Sequence, residues 1–154
     1  MGIGGWARGD ALNYDEWARE MGDKRWSYAG LLPYFKRCET HHDDNADADQ
    51  HGFDGPVHTA SVSSSRRTCP LRERVLELWK NLGVEFKQDL NDGKPQSISD
   101  LVESWRDGKR QLAPSVYSLD GVRVLTETVV KRVILDAGNT TTGVELANGE
   151  IEVM

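Results

Sequence analysis

The sequence has little positive charge, only two cysteines and no long apolar run. Its 19 Lys and Arg are outnumbered by 25 Asp and Glu, which gives a net charge of −6. Such a chain lacks a basic surface that could neutralise phosphates, so we expect no nucleic-acid partner. No apolar run could cross a bilayer, so we expect no membrane partner. The first residues lack the basic and apolar regions of a secretion signal, and we therefore expect a cytoplasmic protein.

The two cysteines, Cys38 and Cys69, could form one disulfide. Free thiols in a reducing compartment are favoured, because no secretion signal is visible. What the chain does have is a globular balance, with 38% hydrophobic and 29% charged residues. Because 154 residues suffice for one core, we predict that residues 1–154 form a single domain.

Apolar spacings of three and four residues predict two short helices near the start of the chain. The first covers residues 14–21, with Asn13 as its N-terminal cap and Gly22 as its end. The second begins at Ser27. Pro33 lies inside its apolar pattern, so we expect a kink or a break there.

A third helix is the clearest of all and begins at Pro70. Gly83 is expected to end it. Its apolar residues fall on one face, which we predict to be part of the core. They are Leu71, Val75, Leu78, Trp79 and Leu82.

Alternating and β-branched segments predict strands in the rest of the chain. Residues 56–62 read as one strand and residues 98–105 as a weaker one. Three more are predicted near the C-terminus, over residues 122–128, 130–136 and 142–146. Asn148 and Gly149 form a hairpin signal that would turn the last of these back onto residues 151–153. The chain is therefore predicted to have an α+β fold, with short helices packed on antiparallel strands and a C-terminal β-meander.

The segment between residues 41 and 55 is acidic, contains three histidines and has almost no apolar residue. We predict a long surface loop there. Its His and Asp side chains could ligate a metal. Because their spacing matches no compact site, we predict no metal.

Several segments, taken in order, resemble the glucose-methanol-choline (GMC) family of flavin oxidoreductases, particularly its fungal members. Trp6, Arg8 and Gly9 followed by Tyr14 and Trp17 are similar to one family block. The other matching segments are residues 25–36, 51–57, 89–93, 106–110, 122–126 and 142–145. The resemblance covers nearly the whole chain. It implies a GMC substrate-domain-like fold, in which residues 1–62 form a lid and first sheet strand, residues 63–118 a helix and sheet segment, and residues 119–154 the meander.

Two parts of the family pattern are missing from this sequence. The G-x-G-x-x-G turn that binds the adenine dinucleotide is not present, and the segment around Gly4 neither follows a strand nor opens a helix. The catalytic histidine of the family would lie beyond Met154. We therefore read the chain as a truncated, central GMC segment. We expect no cofactor, with FAD relevant only if the chain is a piece of a larger enzyme.

His58, on the predicted strand 56–62, is a candidate general acid or base because the pKa of histidine lies near neutrality. The alternative is that His58 is a half-exposed strand residue whose ring nitrogens form hydrogen bonds with a neighbour. The resemblance assigns Glu103, Trp105 and Arg106 to a sheet that forms one wall of the substrate cavity. Glu103 is the second catalytic candidate. Trp105 could instead pack in the core against Trp79.

Four further residues are candidate substrate contacts. Val57 belongs to the predicted strand 56–62 and Leu101 to the predicted strand 98–105, and these two strands are expected to form the cavity wall. The resemblance places Trp6 and Arg8 near the flavin edge of a complete enzyme. In this chain Arg8 is expected to pair with an acidic neighbour, which could be Asp10, Asp15 or Glu16.

Three functions remain open from the sequence. The first is a flavin-free protein that binds a small, largely apolar metabolite and promotes a cyclisation, isomerisation or pericyclic step in fungal secondary metabolism. The second is an inactive fragment of an FAD-dependent alcohol oxidoreductase, and the third is a metabolite-binding accessory protein. A homodimer is expected in the first case, because exposed sheet edges and a reduced core favour a second copy.

Overall fold

A computed structural model describes residues 4–65 and 67–153. Its contacts divide the chain into two compact units, with the division between Ser118 and Leu119. This boundary coincides with the predicted start of the meander. The single domain over residues 1–154 stays a prediction. None of the helices in the described residues is long and apolar enough to cross a membrane.

The first unit opens with two helices, α1 (Ala11–Met21) and α2 (Tyr28–Cys38), joined by a 3₁₀ turn over Lys24–Trp26. Asp10 caps α1 by accepting a hydrogen bond from the backbone N–H of Leu12. The predicted cap at Asn13 is therefore wrong, because the helix already includes that residue. Gly22 ends α1 in the left-handed conformation (φ 64°), as predicted.

Ser27 begins α2 as predicted, and its hydroxyl accepts a hydrogen bond from the N–H of Gly30. Pro33 lies inside α2 without ending it. The expected break is absent, although Pro33 lies in the second turn of α2 and removes one backbone hydrogen bond of the helix.

A small sheet follows, made of β1 (Glu39–His41), β2 (Val57–Ser61) and β3 (Val102–Glu103). Strand β2 lies in the middle, parallel to β1 and antiparallel to β3. A two-stranded hairpin, β4 (Trp105–Arg106) with β5 (Lys109–Arg110), continues from β3. The first unit also contains α3 (Arg72–Asn81) and α4 (Ala113–Val116). The weaker predicted strand over residues 98–105 is thus shorter than expected and divided in two.

The apolar face of α3 is exposed, which contradicts its assignment to the core. Leu71 and Leu82 are 66% and 68% exposed, and Val75, Leu78 and Trp79 are exposed as well. Helical spacing shows that a face is apolar but does not show what covers it. Among the described residues, the buried hydrophobic side chains are few: Tyr28, Val57, Val102 and Leu146.

The second unit is a three-stranded antiparallel sheet of β6 (Val130–Leu135), β7 (Thr141–Leu146) and β8 (Ile151–Val153). Gly149 adopts φ 90° in the turn between the last two strands, so the predicted hairpin is confirmed. Residues 122–128 do not form the predicted strand. Glu127 has φ 52° there, which interrupts an extended backbone. The α+β fold with a C-terminal hairpin sheet is confirmed.

Candidate functional site

A cavity of 490 Å³ opens on one face of the first unit. Its volume lies within the range of about 300–1,000 Å³ that is usual for small-molecule sites. His58 of β2, Glu103 of β3 and the β4 residues Trp105 and Arg106 all line it. The remaining lining residues are His42, Ala60, Ser65, Arg67, Asp107 and Gly108. We call this space the His58 cavity.

The alternation of β2 decides which side chains reach the His58 cavity. Val57, Thr59 and Ser61 are buried on one face of the strand, whereas His58 and Ala60 are half-buried on the other. The pairing of Ala60 with Glu103 brings β3 beside this outer face. The four predicted wall residues on β2, β3 and β4 therefore converge.

His58 contacts a cation on one side and a second histidine on the other. Arg106 Nη1 donates to His58 Nε2 over 2.8 Å, and His42 Nε2 lies 2.7 Å from His58 Nδ1. Partial burial, the Arg106 guanidinium and His42 together lower the pKa of His58. His58 is therefore a neutral imidazole at neutral pH, which is the form that can accept a proton.

Glu103 and Arg67 form an ion pair that also lines the cavity. Arg67 Nη2 donates to Glu103 Oε2, and the Glu103 side chain is only 14% exposed. The same guanidinium lies 5.9 Å from the centre of the Trp105 ring, within the range of a cation–π contact. The cavity thus combines an aromatic surface with two arginines and two carboxylates, those of Glu103 and Asp107.

Two predicted contacts lie outside the cavity lining. Val57 is buried on the inner face of β2. Leu101 is exposed just before β3, where its carbonyl accepts a hydrogen bond from the N–H of Val62. Two residues that do contribute, His42 and Arg67, were missed. The only signal for His42 was its place in the histidine-rich loop.

Trp6 and Arg8 belong to a separate buried cluster centred on Glu39, which has no exposed surface. Arg8 Nη2 donates to Glu39 Oε1 over 2.6 Å, and Trp6 Nε1 donates to Oε2 over 2.7 Å. The expected pairing of Arg8 with Asp10, Asp15 or Glu16 is therefore wrong. Strand β1 brings Glu39 next to Arg8, although 31 residues separate them in the sequence.

His51 completes this cluster between two carboxylates. Its Nδ1 lies 2.8 Å from Glu39 Oε1, and its Nε2 lies 3.0 Å from Asp89 Oδ2. Burial alone would lower the pKa of His51, but the hydrogen bonds to Asp89 and Glu39 outweigh it and raise the pKa to about 9. Since both neighbours are acceptors, both ring nitrogens carry protons, and His51 is an imidazolium at neutral pH.

The segment predicted to be an acidic surface loop is thus anchored by two buried histidines. His41 packs against His51 with ring centres 3.9 Å apart, and both are buried. Glu39, His41 and His51 lie close enough together to hold a metal ion. Arg8 and His51 already compensate the charge of Glu39, so the group is best described as an ion-pair cluster.

The described residues do not fit the adenine dinucleotide of FAD. Phosphates of such cofactors bind where a glycine turn joins a strand to the N-terminus of a helix. In the described part of the first unit, the parallel strands β1 and β2 are joined by a segment of turns without a helix. No step is therefore assigned to flavin in this chain.

The model of the family described as GMC oxidoreductase matches residues 2–153 of this sequence. The chain belongs to the GMC oxidoreductase family. It is 35% identical to the GMC-type oxidoreductase acuG of Aspergillus aculeatus, over 97% of this chain and 25% of that protein. The chain thus spans about a quarter of this relative's length.

Two solved structures have a similar fold. Pyridoxine 4-oxidase from Mesorbium loti matches with a TM-score of 0.76 and 26% identity, over 99% of this chain and 31% of that one. Formate oxidase from Aspergillus oryzae, whose structure concerns FAD modification, matches with a TM-score of 0.74. Its 24% identity, over 98% of this chain and 27% of that one, supports the fold alone. The predicted similarity to one segment of longer GMC-type proteins is confirmed.

Proposed function

We propose that this chain binds a small, largely apolar metabolite with a carbonyl oxygen and promotes a non-redox step on it without flavin. Isomerisation and cyclisation are the steps that fit best, because both can begin with proton removal next to a carbonyl. A pericyclic step would need only the shape of the cavity. The fungal resemblance supports a place in secondary metabolism.

The observation that carries this proposal is the pairing of a neutral His58 with Arg106 at the wall of one cavity. A neutral imidazole can remove a proton, and an adjacent guanidinium can stabilise the negative charge that develops on a carbonyl oxygen. Arg106 now donates to His58 Nε2 over 2.8 Å. A ligand oxygen would compete for that donor and so free the lone pair of His58.

The other residues of the cavity fit an apolar ligand. Trp105 and Ala60 offer apolar surface, and Arg67 holds Glu103 beside the Trp105 ring. Arg67 already holds Oε2 of Glu103 in an ion pair, so we assign the base to His58. A catalytic role for Glu103 stays a prediction.

A direct test is to incubate the purified chain with candidate metabolites, without added cofactor, and to analyse the products. We expect conversion by the native chain and a loss on the order of 10²-fold in His58→Gln. Glu77→Gln, an exposed change on α3, is the control and should leave conversion unchanged. Equal conversion with and without the native protein would refute the proposal.

A second candidate function is an inactive segment of an FAD-dependent alcohol oxidoreductase. The exposed apolar face of α3 favours it, because such faces are normally covered in a folded protein. The chain also spans only 25% of the length of acuG, which favours the same candidate. Flavin absorbance of the purified protein would contradict the flavin-free proposal, whereas a chain that converts no metabolite and binds none would support this candidate.

Native mass spectrometry separates binding from catalysis. A metabolite that co-purifies but is not converted would support the accessory, metabolite-binding role. The expected homodimer is a further proposal, which light scattering coupled to gel filtration would test. A monomer at all concentrations would contradict it.

A further inference from the structure

His42 stands directly beside His58 because of the pairing between β1 and β2. Thr40 of β1 pairs with His58, and His42 follows two residues later on the same side of the chain. The backbone N–H of His42 donates to the carbonyl of Thr59 over 2.9 Å, which continues this pairing beyond the strand. His41, between them, is buried on the opposite side.

The two imidazole rings lie edge to edge. Their planes differ by 8°, and their centres are 5.0 Å apart, whereas His42 Nε2 and His58 Nδ1 approach to 2.7 Å. Rings stacked face to face would not bring two nitrogens so much closer than the centres. The contact is therefore a hydrogen bond in the plane of both rings.

Arg106 determines where the proton of this bond resides. A guanidinium can only donate, so His58 Nε2, 2.8 Å from Arg106 Nη1, is the unprotonated nitrogen. A neutral His58 then carries its proton on Nδ1 and donates it to His42 Nε2. This chain of donors orients His58 with its basic nitrogen toward Arg106 and the cavity.

His42 is also exposed, so its ring can exchange protons with water. The groups that face His58 are Arg106 and Asp107 from the hairpin of β4 and β5, and His42 from the loop. No carboxylate accepts a hydrogen bond from the His58 ring among the described contacts. His42 is thus the group placed to take the His58 Nδ1 proton.

We propose that His42 and His58 form a proton relay between the cavity and water. The inference rests on the proposed function and assigns to that site a positioning residue, His42. When a bound ligand gives a proton to His58 Nε2, the Nδ1–H bond breaks and that proton moves to His42 Nε2. His58 stays neutral, and His42 becomes the imidazolium and later returns the proton or releases it to water.

The relay can be tested without any ligand by nitrogen-15 NMR of the histidine rings. The native chain should show His58 protonated on Nδ1 and unprotonated on Nε2 in mildly alkaline buffer. His42→Gln keeps an acceptor oxygen and should keep this tautomer. His42→Phe removes the acceptor while Arg106 still holds the tautomer, so the His58 Nδ1 proton should lose its hydrogen bond and the downfield shift of its proton signal. A native His58 protonated on Nε2, or a downfield Nδ1 proton signal that is unchanged in His42→Phe, would overturn the relay.

Turnover tests the transfer itself. Once a converted metabolite is known, His42→Gln should lower kcat on the order of tenfold or more, because Gln accepts a hydrogen bond but not a proton. Its KM should stay unchanged. Unchanged kcat in His42→Gln would overturn the relay even with the tautomer confirmed. If the tautomers behave as expected but no metabolite is converted by the native chain, the proposed function fails instead.

Discussion

Replacing Glu39 with Gln should destabilise the first unit strongly and change how its stability depends on pH. The native carboxylate has no exposed surface and accepts hydrogen bonds from Arg8, Trp6 and His51. The amide that replaces it would have nearly the same shape but no charge. Arg8 would then lose its carboxylate partner, and His51 would keep only Asp89, whose side chain is 28% exposed. Removing one partner of a buried ion pair costs about 3–5 kcal/mol, a large part of the roughly 5–15 kcal/mol that usually stabilises a domain.

The pH dependence follows from His51. Its pKa is raised from 6.5 to about 9 in the folded chain. A raised pKa means that the folded state holds the proton more tightly, so this stabilisation is complete below the unfolded pKa and is lost as pH rises through about 9. Between about pH 7 and pH 10 the native chain should lose about 2.5 kcal/mol from this group. Glu39→Gln should lose much less over the same range.

Urea unfolding followed by tryptophan fluorescence measures both effects, since Trp6 donates directly to Glu39. Glu20→Gln is the matched control, because Glu20 is exposed and paired only with the exposed Arg19. It should change the free energy of unfolding by less than about 0.5 kcal/mol. Equal stability of Glu39→Gln and the control, or an equal alkaline loss in native chain and Glu39→Gln, would refute the reasoning.

Three further predictions concern packing, the hairpin and the thiols. Val57→Ala should lower the free energy of unfolding by about 2 kcal/mol in urea. Leu78→Gln, on the exposed face of α3, should change this free energy by less than about 0.5 kcal/mol. A larger loss for Leu78→Gln would show that its face is covered. Gly149→Ala should weaken the second unit by about 1 kcal/mol because φ is 90° there, and faster amide exchange in β8 would report it, whereas unchanged exchange would contradict it. Cys69 is an exposed free thiol and Cys38 a half-buried one, so a thiol reagent should label Cys69 first in the folded chain; a failure to label either would indicate a disulfide.

Local sequence features predicted the elements whose geometry depends on near neighbours. The predicted strand over residues 56–62 contains β2, and Gly22 and Gly149 marked the end of α1 and the last hairpin. The family resemblance, rather than any periodicity, brought Glu103 and Trp105 to the same wall as His58.

The buried cluster could not be predicted in this way. His51 is separated by 12 residues from Glu39 and by 38 from Asp89, and no repeat in the sequence links the three. The exposure of α3 was missed for a different reason. Its spacing identifies an apolar face, but burial depends on what else is present to cover that face.

The central claim is that the His58 cavity promotes proton transfer next to a carbonyl without flavin. Deuterium uptake by β-tetralone, an enolisable and largely apolar ketone, measures this most directly in heavy water. The native chain should accelerate the uptake over buffer, and His58→Gln should abolish most of that acceleration while folding normally. Uptake at the buffer rate with the native chain, or equal acceleration by His58→Gln, would contradict the account.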